Sequence, residues 1–147
     1  MLFRSEGNIE KAADWLREKG IAKAQKKVSR IAAEGLCNIV CKENKALIYE
    51  VNSETDFVAK NKEFIALVEE IGDILIDTDI TSAEDALGFE YKGKTIETAI
   101  MEISAKIGEK ITLRRLTKLN KTADEVFGVY KHMGGKSAVV AIWEGKD

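Results

Sequence analysis

The sequence predicts an α+β domain in which an antiparallel sheet carries helices packed on one face, preceded by a short N-terminal helix and a basic linker. Three observations predict it. Leu36 to Cys41 and Ala46 to Val51 are strand-like apolar runs separated only by Lys42-Glu43-Asn44-Lys45, a hairpin-length link. Phe64, Leu67, Val68, Ile71, Ile74 and Leu75 recur at helical spacing. Further strand candidates come after the helices, and strands, then helices, then strands with short links is the order of an α+β domain.

Taken from the N-terminus, Asn8 suits a helix N-cap, Ile9, Ala12, Ala13 and Leu16 form an apolar stripe, and Gly20 stands where a helix stops. A helix of about 12 residues is marginal alone and needs something to pack on. Lys23, Lys26, Lys27 and Arg30 follow on an alanine-rich background and read as a linker or connecting helix. The core begins near Gly35. After the Phe64 to Leu75 helix a polar stretch holds a short helical turn, Ala83 to Leu87; then Ile96, Ile100, Ile103 and Ile107 mark a second core helix with Gly108 at its C-cap. Ile111 to Leu119, Val126 to His132 and Ala138 to Trp143 complete the strands, the last two joined through Gly134-Gly135.

At 147 residues with 45% hydrophobic content the chain fits one ordinary domain with a real core. It lacks a run of about 18 apolar residues, and its start lacks the apolar block of a signal peptide, so a cytoplasmic protein with no membrane partner is expected. A net charge of -2 with 33% charged residues supplies no global field for nucleic acid, which leaves partner choice to local features. Cys37 and Cys41 alternate onto one strand face about 13 Å apart, beyond disulfide reach. With one His and no further Cys there are too few soft ligands for zinc, so no metal or cofactor is expected, and both thiols are expected to be buried or half-buried structural residues.

Asn52-Ser53-Glu54-Thr55-Asp56-Phe57-Val58-Ala59-Lys60-Asn61 joins a strand to a helix, where the chain should lie on the surface. From spacing alone, Asp56 caps the following helix and Phe57 folds back as an anchor; alternatively, the pair projects as a probe. Ile107-Gly108 reads as the last core position of a helix and its cap, and His132 as a surface or satisfied core residue without an acid, nucleophile or metal beside it in sequence. Gly134-Gly135-Lys136-Ser137 imitates the tail of a phosphate-binding loop, but Tyr130 stands where its first glycine belongs and a strand follows, so it is a hairpin turn. The basic run from Arg17 to Arg30 lacks interleaved aromatics beyond Trp15.

The segment Thr55-Asp56-Phe57-Val58-Ala59-Lys60-Asn61 closely resembles the TDFVAKN signature of bacterial elongation factor Ts, the guanine-nucleotide exchange factor for elongation factor Tu. Gly7 to Ala12 with Trp15 to Gly20, Lys106 to Arg115, and Tyr130 to Lys136 resemble further family blocks in the same order. The resemblance implies that residues 1–20 are the remnant of an N-terminal helical module, 21–34 a basic linker and 35–147 the first half of the core domain. Two helices expected before Gly7 and a second core half expected after Asp147 are missing, which reads as a fragment, a short form or a truncated gene model.

The resemblance further implies a protein that catalyses no bond change of its own but binds elongation factor Tu, GDP-loaded or nucleotide-free, and promotes GDP release. The partner-binding residues it implies are Thr55, Asp56, Phe57, Val58, Ile107, Gly108 and His132, with Asp56-Phe57 inserted near the magnesium side of the partner's nucleotide site. Magnesium and nucleotide belong to the partner, no direct nucleic-acid contact is expected, and a homodimer is possible. The alternatives are a basic RNA-binding accessory module using residues 17–30, and an inactive fragment.

Overall fold

The computed structural model describes residues 9–25 and 29–145. Helix α1 spans Ile9–Gln25. It runs through Gly20, where the sequence suggested a stop: a single internal glycine costs about 1 kcal/mol, which good helix formers on either side can absorb. The expected cap at Asn8 and residues 26–28 of the linker lie outside the described residues. The packing partner that α1 needs is found within the chain, since α1 lies against helix α4 (Ile96–Ile107). Ala12 and Trp15 are half-buried there, while Ile9 and Leu16 remain exposed.

The first sheet opens with β1 (Glu34–Lys42) and β2 (Lys45–Ser53), an antiparallel hairpin in register from Glu34↔Ser53 to Lys42↔Lys45. Strand β5 (Thr112–Asn120) pairs with the other edge of β2, giving a sheet of order β1-β2-β5. The register shifts between Glu50 and Val51, where Arg114 is the extra residue. That bulge explains Leu113-Arg114-Arg115-Leu116, which strict alternation would not: the shift turns both leucines inward and leaves both arginines exposed.

One face of this sheet is covered by α2 (Lys62–Leu75) and α4. Leu47, Tyr49 and Val51 of β2 meet Phe64, Leu67, Val68, Ile71 and Leu75 of α2, Ile96, Ala99 and Ile100 of α4, and the two leucines of β5 in one apolar core. Between the helices run α3 (Ala83–Leu87) and a small hairpin, β3 (Glu90–Tyr91) with β4 (Lys94–Thr95). That hairpin has only two residue pairs and leaves no periodic signature in the sequence.

The last two strands do not join the main sheet as the sequence suggested. β6 (Glu125–His132) and β7 (Ser137–Glu144) form a separate two-stranded sheet that packs against β1 and β2. Gly135 sits against β1, where its carbonyl accepts from Cys37 N at 2.7 Å. A Cβ at Gly135 would lie 2.8 Å from the Cys37 carbonyl oxygen, and its φ of +112° is in any case a region that side-chain-bearing residues avoid. Lys131 Nζ donates to Asn38 Oδ1 at 2.8 Å, Asn38 Nδ2 donates to the Tyr49 hydroxyl at 2.8 Å, and that hydroxyl donates to the Val68 carbonyl. A chain of polar contacts therefore ties hairpin, sheet and α2 together.

The cysteines divide. Cys37, beside the hairpin, is half-buried as expected, whereas Cys41, near the far end of the edge strand, is exposed. Burial pushes both thiols above their ordinary value, the reverse of the shift that would activate a nucleophile.

Candidate functional site

The chain leaves β2 at Ser53 and reaches α2 through a turn that the sequence leaves open to either reading. Ser53 Oγ donates to the Thr55 carbonyl at 2.9 Å, and Val58–Lys60 forms a single turn of 3-10 helix. Helix α2 is capped by Asn61, whose Oδ1 accepts from Glu63 N at 2.9 Å and Phe64 N at 3.2 Å. Asp56 therefore does not cap it. Asn61→Ala is expected to destabilise the fold by about 1 kcal/mol, read as a drop in thermal midpoint of a few degrees.

Phe57 does not fold back either: it is 79% exposed, while its neighbour Val58 is 4% exposed and belongs to the core. The turn is thus held from beneath by one apolar side chain and offers another to solvent. This separates Val58 from Asp56 and Phe57, with which it was grouped, because its side chain packs inward under the turn. Asp56 is exposed and Thr55 half-buried.

Residues 54 and 55 are laced to the loop after α4. The Thr55 amide donates to Glu109 Oε1 at 2.9 Å and the Thr55 hydroxyl to Glu109 Oε2 at 2.7 Å. In the other direction, Lys110 N donates to Glu54 Oε1 at 2.7 Å. The same Glu54 oxygen lies 3.4 Å from Arg30 Nη1, so Arg30 is drawn to this site. Ile107 is half-buried against the core, and Gly108 closes α4 with φ 87°, the left-handed conformation of a glycine cap. Lys106 Nζ reaches Glu63 Oε1 at 2.5 Å, tying the end of α4 to the start of α2.

His132 is exposed at the end of β6, its Nδ1 at 3.0 Å from the Tyr130 hydroxyl. The residues that follow it approach the Asp56 turn across a cleft of about 460 Å³, lined by Leu36, Asp56, Lys60 and Ile65 on one side and Met133 and Lys136 on the other. Three sequence-distant segments therefore converge. The Glu109 contacts join the Ile107-Gly108 segment to the turn, and the cleft joins the His132 segment to it.

Comparison with known proteins decides the family. The elongation factor Ts family model matches residues 54–147. The chain belongs to the elongation factor Ts family. It is 53% identical over 144 residues to the elongation factor Ts of Acholeplasma laidlawii, a match covering 97% of this chain and 49% of that protein. It is 51% identical over 140 residues to that of Spiroplasma citri, covering 95% and 47%, and 50% identical over 147 residues to that of Lactococcus lactis subsp. lactis, covering 99% and 43%. The chain spans about half the length of these relatives.

Sequence reasoning missed Glu54 and Glu109 as the residues that join the elongation factor Ts signature turn to α4. A signal for Glu109 existed: a carboxylate just past a helix C-terminus opposes the helix dipole and calls for another partner. Among the described residues, no group of three or more His, Cys, Asp or Glu side chains converges on a metal-sized site, and no helix is long and apolar enough to cross a membrane.

Proposed function

We propose that this chain is a guanine-nucleotide exchange module that binds elongation factor Tu in the cytoplasm, with GDP or without nucleotide, and promotes GDP release. The observation that carries this reading is Phe57: a large apolar ring left 79% exposed on a turn whose next residue is buried. Exposed aromatics on rigid supports are suited to interface hot spots. In this reading Asp56 and Phe57 enter the GTPase near its magnesium and phosphate-holding elements and displace them. Thr55, Ile107, Gly108 and His132 contact the same region. Magnesium and nucleotide stay with the partner.

Linkage makes the effect reciprocal: a factor that weakens GDP binding is itself weakened by GDP to the same degree. GTP entry then releases it. No bond is made or broken by this chain, so it acts as an exchange factor rather than as an enzyme with an active site. A homodimer, which the sequence leaves open, would use the exposed apolar side chains Tyr130, Val139 and Trp143 on one face of β6 and β7, and sedimentation over a range of concentrations measures it.

Titration against elongation factor Tu, with and without GDP, tests the proposal, followed by release of a fluorescent GDP analogue. Because the chain spans about half of its relatives, affinity is expected to be weaker than theirs, each 1.4 kcal/mol of lost contact costing about tenfold. Saturating chain should still accelerate release. Binding without acceleration at any concentration would reduce the protein to an inactive module, and binding of RNA in place of the GTPase would favour the basic linker as the working surface.

A further inference from the structure

We infer that Glu109 is the positioning residue for the Asp56-Phe57 probe, a role that rests on the exchange function proposed above. Its carboxylate accepts two hydrogen bonds from one residue, the Thr55 amide at 2.9 Å and the Thr55 hydroxyl at 2.7 Å. Thr55 immediately precedes the probe. Both oxygens of the carboxylate are used, so the bond resists rotation as well as translation.

Glu109 is itself fixed. The Ser104 hydroxyl donates to its carbonyl at 2.5 Å, and the next residue, Lys110, donates its amide to Glu54 at 2.7 Å. Each strand of this contact thus supplies a carboxylate to the other's backbone, Glu54 to Lys110 and Glu109 to Thr55. Phe57, in contrast, projects into solvent and is not held by packing on its own ring. Its direction is set by its backbone, and that backbone is pinned by Thr55 on one side and Val58 on the other. The position of Glu109 past the end of α4, where the helix dipole disfavours a carboxylate, is understandable if the clamp is what the residue is for.

A preorganised turn spares the complex the cost of ordering it on binding. If Glu109 works through Phe57, its loss should misdirect the probe in the step that expels GDP more than it weakens docking, which also uses Ile107 and His132.

The test measures acceleration of fluorescent GDP release from elongation factor Tu as a function of chain concentration, for Glu109→Ala, Thr55→Val and Phe57→Ala, and for the Glu109→Ala/Phe57→Ala double variant. Glu109→Ala is expected to lower the saturating rate by about tenfold, with the half-saturating concentration shifting much less. Thr55→Val keeps the amide bond and should fall between the parent and Glu109→Ala. In the Phe57→Ala background, Glu109→Ala should add nothing, because residues acting as a unit are not additive. Equal losses in both backgrounds, or a change confined to the half-saturating concentration, would overturn the proposal.

Amide exchange in the free chain tests the clamp independently of any exchange activity. Glu109→Ala should speed exchange at Thr55, Lys60 and Asn61 by about tenfold or more while α2 stays protected. Unchanged exchange there would sink the clamp whatever the chain does to its partner. A parent chain that never accelerates GDP release would sink the exchange function and with it the probe-positioning role, even where the amides show that Glu109 holds the turn.

Discussion

Phe57→Ala is expected to abolish most of the chain's stimulation of GDP release while leaving its fold intact. The ring is 79% exposed, so its removal takes little from the core, and surface substitutions of this kind usually stay within about 0.5 kcal/mol of the parent. Burial of a phenylalanine in a partner is worth on the order of 1.5 to 3 kcal/mol, or a factor of roughly 10 to 150. Circular dichroism and thermal unfolding of the variant should therefore match the parent, and its titration with elongation factor Tu should not. Unfolding of the variant would mean that the turn depends on Phe57 for stability, contrary to its exposure. Full exchange activity would mean that another side chain opens the nucleotide site.

The elements legible in the sequence were those whose physics is local. Helix α2 announces itself by six apolar positions at helical spacing, and α4 by its isoleucines and the glycine that closes it; both lie where that pattern puts them. The β1–β2 and β6–β7 hairpins likewise follow from apolar runs and their turn residues. What local pattern could not supply was which strands share a sheet. The separation of β6–β7 from β1-β2-β5 depends on the docking of Gly135 on Cys37 and of Lys131 on Asn38, contacts between residues about a hundred positions apart. Nor does it reveal the Arg114 bulge, which exists only in relation to Glu50 and Val51 on the neighbouring strand.

The candidate site divides in the same way. Asp56 and Phe57 stood out because a surface turn gives such side chains no packing role, whereas His132 was singled out by the family resemblance alone. Three cap-competent residues, Thr55, Asp56 and Asn61, compete within the turn, and only Asn61 stands the required three residues before the first apolar position of α2, Phe64. That spacing could have excluded Asp56 as the cap. Glu109 gave a weaker sign, since a carboxylate past a helix end states a problem without naming its partner, and the partner is 54 residues away.

Raising the pH from about 10 to about 12 is expected to destabilise the fold by about 3 kcal/mol through Tyr49 alone. Tyr49 is 2% exposed, and burial is the largest of the influences that push its phenol up to about 12. An unfolded chain releases that proton near the ordinary value of about 10, while the fold holds it. The contribution is therefore fully present below about pH 10, declines by about 1.4 kcal/mol for each pH unit above that, and is gone once the folded phenol itself ionises. Loss of the proton also removes the donor to the Val68 carbonyl, the link by which β2 grips α2. Denaturant unfolding at pH 8, 10 and 11.5 measures the slope, and Tyr49→Phe isolates it from the titration of lysines and the more exposed tyrosines. The variant should be less stable than the parent at pH 8 by about 1 to 3 kcal/mol, since Asn38 loses a buried acceptor. Its stability should then fall less steeply with pH, so that the two curves converge toward pH 12. Curves that stay parallel would place the alkaline weakness elsewhere and would leave the Tyr49 hydroxyl as a hydrogen-bonding group whose titration does not set the pH dependence.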